Sequence, residues 1–157
     1  MKKKRVVIIS LLILLVSVIG ISSYFLFKDK INLLDVDHSA VDWNGKKQKD
    51  TSGEENTIAI PGFEKVTLYA NETKQAVNFH NPEINDCYFK ISLIHPDGSV
   101  LWISDLIEPG KGMYSIELEK TLAVGEYENA VLKYECFSLN DQSPLNGSEI
   151  NLKLVVV

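Results

Sequence analysis

Cys87-Tyr88-Phe89-Lys90-Ile91-Ser92-Leu93-Ile94 is followed at once by His95-Pro96-Asp97-Gly98-Ser99. In the first stretch Cys87, Phe89, Ile91 and Leu93 alternate with Tyr88, Lys90, Ser92 and Ile94. Period-two alternation of this kind describes a half-buried strand, with one set of side chains facing a core and the other facing solvent. In the second stretch Pro96 fixes φ and Gly98 accepts φ > 0, which makes a tight hairpin turn. The apolar run Val100–Ile107 then supplies the returning strand.

The same alternation recurs on both sides. Val66, Leu68 and Ala70 alternate with Lys65, Thr67 and Tyr69, and Val77 and Phe79 with Asn78 and His80. Tyr114, Ile116 and Leu118 alternate with Ser115, Glu117 and Glu119. Leu132, Tyr134 and Cys136 alternate with Lys133 and Glu135, and Ile150, Leu152, Leu154 and Val156 with Asn151 and Lys153. Asn81-Pro82, Pro109-Gly110, Gly125 and Asn146-Gly147 punctuate these runs as turns. Seven strands with no helical period, spread over residues 57–157, predict an all-β, seven-stranded immunoglobulin-like or fibronectin-like sandwich. About 100 residues is enough to bury one core.

Leu122-Ala123-Val124-Gly125-Glu126-Tyr127 leads into the sixth of these strands. It resembles the tyrosine corner of fibronectin type III and related domains, which implies that the Tyr127 phenol bonds back to nearby backbone, with Gly125 and Leu122 completing the corner. Trp102 departs from the immunoglobulin pattern, lying one strand later than the usual core tryptophan. The whole layout is that of a basic head, an apolar span, a polar stalk, an Ile60-Pro61-Gly62 lead-in and a terminal β domain. It resembles small uncharacterised membrane-anchored proteins of Gram-positive bacteria, some of which travel with mobile or conjugative elements. The stretch from Pro96-Asp97-Gly98 through Leu101-Trp102 to Pro109-Gly110 is also similar to the intracellular proteinase-inhibitor domain of bacilli. That resemblance implies an alternative role as an inhibitor or immunity-type module that blocks an enzyme.

The amino-terminal part sets the expected location. Lys2, Lys3, Lys4 and Arg5 make a basic head over residues 1–5, and residues 6–27 carry no charge. At about 1.5 Å per residue a helix of this length reaches roughly 33 Å, enough to cross a hydrocarbon core of about 30 Å. Gly20-Ile21-Ser22 is the best candidate for signal cleavage, but Tyr24–Phe27 prolongs the apolar run beyond it. Residues 6–27 therefore read as a transmembrane anchor rather than a removable signal. The cationic head favours a cytoplasmic amino terminus and an extracellular carboxy-terminal domain, with the lipid bilayer as partner of residues 6–27. Residues 28–56 read as a flexible stalk, polar throughout its second half. Its apolar residues Ile31, Leu33, Leu34, Val36, Val41 and Trp43 suit a short helix, a membrane-surface segment or a docking segment equally well.

All 21 Asp and Glu lie beyond residue 28, against 12 of the 16 Lys and Arg after residue 27, so the expected external part is acidic. That excludes the cationic footprint a nucleic-acid binder needs. Cys87 and Cys136 share parity with core residues on two strands expected to be neighbours, which leaves a disulfide and a pair of buried thiols both open. His38, His80 and His95 are not at metal-ligand spacing. Asp35, Asp37 and Asp42 do not complete a calcium loop. No hydrolase or phosphate-loop motif is present. The expectation is a non-enzyme without cofactor or metal: an envelope binding or scaffolding module that meets a protein partner through loops or a sheet edge. The Ser138–Ser148 loop is the first place to look, and Tyr69, Tyr88 and Ile94 are candidate contacts.

Overall fold

The computed structural model describes residues 33–45 and 57–157. The basic head at 1–5, the expected span at 6–27 and residues 28–32 and 46–56 of the expected stalk lie outside the described residues.

Among the described residues the chain is all-β, with eight strands in two sheets. The smaller sheet has the order β1 (Val41–Asp42), β6 (Lys111–Glu117), β3 (Lys74–His80). The larger runs β2 (Lys65–Leu68), β8 (Pro144–Val156), β7 (Gly125–Ser138), β4 (Cys87–Ile94), β5 (Val100–Ile103). Neighbours are antiparallel except β2, which lies parallel to β8 from Lys65 opposite Lys153 to Leu68 opposite Val156.

The register explains the core. Phe89 faces Cys136, Ile91 faces Tyr134 and Leu93 faces Leu132 across β4 and β7, and all six are buried. On the outer face of the same strands Tyr88 lies opposite Phe137 and Lys90 opposite Glu135. The smaller sheet contributes Phe79, Met113 and Ile116. Phe79 meets Phe63 edge-on at 5.4 Å between ring centroids and lies 5.8 Å from Trp102, while Phe89 meets Tyr134 at 5.3 Å. Such contacts add stability beyond the area they bury.

Several boundaries differ from the sequence expectation. The apolar run after Gly98 is a strand only to Ile103. From Ser104 the pairing with β4 is irregular: the Ser104 amide donates to the Ile91 carbonyl at 2.9 Å, its hydroxyl accepts from the Ile91 amide at 2.8 Å, and Ile107 meets Phe89 in an isolated bridge. β7 begins at Gly125, well before Leu132, and β8 begins at Pro144, so only residues 139–143 remain of the expected Ser138–Ser148 loop. Gly147 lies within β8 because the register slips between Tyr134 and Cys136. A Cβ there would stand 2.3 Å from the Tyr134 carbonyl oxygen, so this close approach admits only glycine.

The larger correction concerns the stalk. Residues 34–45 are not a free tether but a strap packed on the domain, and its Val41–Asp42 is the strand beyond the expected seven. The Leu34 amide donates to Gln142 Oε1 at 2.6 Å, and Gln142 Nε2 donates to the Leu34 carbonyl at 3.0 Å. Leu106 accepts from the Asp37 amide and donates to the Asp35 carbonyl. After a turn at Asp37–Ala40, Val41 pairs with Gly112 and Asp42 with Lys111, and the Trp43 amide donates to the Gly110 carbonyl at 2.8 Å. Backbone groups that a solvated stalk would leave to water thus complete the edge of β6.

A knot of two buried asparagines joins the sheets where β3 crosses to β4. Asn81 Nδ2 donates to the carbonyls of Cys87 (2.8 Å) and Ile107 (2.9 Å), while Oδ1 accepts from Asn85 Nδ2 at 2.9 Å. Asn81 also pairs through its backbone with Lys111 and Gly110. Asn85 holds Ala59 of the lead-in by both its amide and its carbonyl. Every polar group of the Asn81 side chain is satisfied, which is the condition for burying it.

Two outcomes follow from this arrangement. Asn81→Asp keeps the side-chain shape but removes both donated bonds, taking this donor from the Cys87 carbonyl and leaving the Ile107 carbonyl with the Phe89 amide alone. It is expected to cost roughly 2–5 kcal/mol in urea unfolding, and a loss below about 1 kcal/mol would contradict the role given to the knot. The second concerns the strap. Lys111 holds the Asp42 carboxyl below its ordinary range, and Asp42 holds the Lys111 ammonium above its own. Because the folded Asp42 value is depressed, the pair supports the strap fully above the ordinary carboxylate value of about 4 and loses this as pH falls through the lowered value. Hydrogen exchange at the Trp43 amide, corrected for intrinsic rate, should lose protection on acidification in that window. Asp42→Asn should abolish the pH dependence.

Candidate functional site

The asparagine knot fixes the turn Asn81–Cys87, and this turn carries one large apolar side chain into solvent. Ile84 is 64% exposed. It stands between two open clefts. The first, of about 770 Å³, is lined by Ile58 and Ile60 of the lead-in, by Ile84, and by Leu145, which is 44% exposed on β8. Asp86 and Asn146 stand at its rim and Cys87 at its floor. The second, of about 530 Å³, lies between Ile84, Pro82, Glu83, Pro109 and the stacked rings of Trp43 and His80. Those rings are 3.8 Å apart and 8° from parallel, and the Trp43 indole N–H donates to Asn78 Oδ1 at 2.8 Å. Three separate pieces of chain converge on Ile84: the lead-in, the β3–β4 turn and the β7–β8 ribbon. Ile84 and Leu145 are exposed there, while Ile58 and Ile60 are half-buried against the core, so the cleft is an apolar cluster rather than scattered single residues.

Cys87 and Cys136 lie beneath this surface. Each is 1% exposed and both are free. They lie diagonally across β4 and β7, since Cys87 is opposite Ser138 and Cys136 opposite Phe89. Diagonal neighbours have Cα atoms about 7–8 Å apart, at or beyond the roughly 7 Å limit for a disulfide, so the side chains meet but an S–S bond would require the backbone to move. The thiols bond to one another, and this contact, followed by burial, holds Cys136 protonated well above the ordinary thiol range. Burial likewise pushes the Tyr134 phenol up.

Tyr127 stands near the opposite end of β7. Its hydroxyl donates to the Ala123 carbonyl at 2.9 Å, four residues upstream. Leu122 is buried, Gly125 opens β7, and a register shift between Tyr127 and Ala130 carries Asn129 at φ 62°. The Pro96–Gly110 stretch that resembles the inhibitor domain forms the β4–β5 turn and β5, with Leu101 and Trp102 turned into the core. Of the candidate contacts, Tyr69 is exposed while Tyr88 and Ile94 are half-buried. Among the described residues no group of His, Cys, Asp and Glu is placed to hold a metal ion.

Leu145 falls within the Ser138–Ser148 loop that the sequence marked and Ile60 within the quoted lead-in, whereas Ile84 and Asn85 were not singled out. Asn81-Pro82 marked the turn, but nothing there distinguishes an amide buried between sheets from a solvated one. Trp43 lay in a segment whose polar neighbours pointed to a stalk.

The thiols supply a direct check. In the folded full-length chain neither Cys87 nor Cys136 should react with iodoacetamide. Both should be alkylated in urea without prior reductant, each adding one adduct by mass. A disulfide found before reduction would contradict the diagonal placement.

In comparison with known proteins, the chain matches no family model, no curated protein and no solved structure.

Proposed function

We propose that this protein is a membrane-tethered binding or scaffolding module of the bacterial envelope. Residues 6–27 anchor it in the lipid bilayer with the amino terminus in the cytoplasm, and an immunoglobulin-like or fibronectin-like sandwich is presented outside. The sandwich reading is supported by two facing sheets, by the pairing of β4 with β7 in the larger one, and by the Tyr127–Ala123 bond, which has the form of a tyrosine corner. The anchor reading rests on the 22 uncharged residues and the cationic head before them.

The observation that carries the binding role is the convergence of Ile58, Ile60, Ile84 and Leu145 around one open cleft. Four aliphatic side chains from three chain segments offer an apolar seat, and the single carboxylate beside it, Asp86, favours a partner with a basic residue next to an apolar anchor. The partner is a protein at the envelope, met from the cell surface.

The test places a photo-crosslinking amino acid at position 84 of the full chain in intact cells. A discrete adduct is expected, and Leu145→Asp in the same chain should reduce it by about tenfold or more, the loss expected on putting a charge into an apolar contact. Protease added to intact cells should remove the domain. An adduct unaffected by Leu145→Asp would overturn the cleft as the contact, and a domain that survives until lysis would overturn its outside location.

A further inference from the structure

The groove that holds residues 34–45 has the attributes of a receptor for an extended strand. Backbone groups of Leu106, Gly110 and Gly112 pair with the strap, and Gln142 grips the Leu34 peptide groups through both ends of its amide. Contacts of this type recognise an extended chain largely irrespective of its side chains. One side chain supplies specificity. Trp43 lies flat on His80 and bonds Asn78, and it covers Gly112 so closely that a Cβ there would stand 2.8 Å from indole Cδ1. Asn44 and Tyr114 close the far end with reciprocal bonds of 2.9 Å.

The occupant, by contrast, is lightly held. Its strand is two residues long, and Val41 and Asp42 are both exposed. None of residues 34–45 is fully buried, and segments with few buried contacts open at a small fraction of the global unfolding cost. The eleven residues that follow, Lys46 to Asn56, contain no aliphatic or aromatic side chain. Fully extended, they span up to about 36–40 Å, enough to reach a neighbouring domain.

We propose that the strap is exchangeable and that the partner taking its place is the same segment of a second copy of this chain. A second copy carries the one sequence whose fit to the groove is seen. Reciprocal exchange preserves every strap–groove contact, so the closed and exchanged forms differ mainly in chain entropy. An opened groove exposes the unpaired edge of β6 together with the indole seat, and a strap from a neighbour restores both. Confinement of several copies on one membrane would raise the effective concentration of straps. The inference does not depend on the Ile84 cleft, so loss of the position 84 adduct leaves it standing, and its own failure leaves that reading intact.

Asp42 and Lys111 provide the test because they are direct partners in an antiparallel pair. Such pairs have Cα separations of about 4.5–5.5 Å, within disulfide range. Two full-length chains with different epitope tags, one carrying Asp42→Cys and the other Lys111→Cys, are co-expressed and oxidised with copper phenanthroline in intact cells. The expected product is a mixed disulfide bearing both tags. Trp43→Ala in the Asp42→Cys chain should lower its yield about tenfold or more, the loss expected on truncating a central tryptophan. Trp43→Phe, which retains the stacking, should lower it less. The double variant Asp42→Cys/Lys111→Cys reports whether the groove has formed, through an intrachain bond. If it closes within one chain while the single variants give no mixed product, exchange is overturned. A mixed product insensitive to Trp43→Ala reports collision and also overturns it. Capture of the Lys111→Cys chain by a different protein in place of its twin overturns the choice of occupant. Absence of every product overturns the register on which the proposal stands.

Discussion

Five hydrogen bonds made by two buried amides hold the corner on which the rest of this domain is arranged. Asn81 spans from the end of β3 to the carbonyls of Cys87 and Ile107, and Asn85 continues the link to Ala59. Each of these groups would be costly to bury alone; together they leave no Asn81 side-chain donor or acceptor unmet. The corner fixes the phase of β4, which sets Phe89, Ile91 and Leu93 inward against β7. It also lifts Ile84 out of the turn and brings the lead-in alongside it. Core and surface are thus two results of one polar contact set. The apolar burial supplies most of the stabilisation, and the amides determine which of several compact arrangements it stabilises.

The legible parts of the sequence were those governed by side-chain parity. Alternation at Cys87–Ile94 and at Leu132–Cys136 marked strands because a strand that is solvated on one face must repeat every two residues. That β4 and β7 share one sheet was also accessible, because the third and sixth strands are neighbours in the sandwich architecture expected from the strand count. What alternation could not supply was the course of chain held mainly by backbone bonds. Val41–Asp42 has no pattern to betray it: both side chains are exposed, and apart from the Asp42–Lys111 pair its attachment to β6 runs through peptide groups. The early start of β7 at Gly125 was hidden for a related reason. The register shift between Tyr127 and Ala130 breaks the period before Ala130 restores it.

The asparagines were illegible for the opposite reason. Their chemistry is strongly sequence-dependent, yet an Asn before Pro most often caps a solvated turn. Only the carbonyls of Cys87 and Ile107, brought near by the fold, turn Asn81 into a fastener, as that of Ala59 does for Asn85. Trp43 shows the same limit. An aromatic ring in a polar stretch gave no indication that its seat would be built from Asn78, His80 and Gly112, residues found on two different strands.

The order in which the chain meets its own domain has a mechanical consequence. A pull applied from the amino-terminal side reaches the Leu34–Gln142 grip first, then the Leu106 bridge, then the short pairing at Gly112, and only afterwards the lead-in at Ala59. These attachments are arranged in series and lie outside the packed interior, so tension would part them one at a time while the two sheets stayed shut. Chain length would thus be released stepwise from the strap before any such pull bore on the hydrophobic interior.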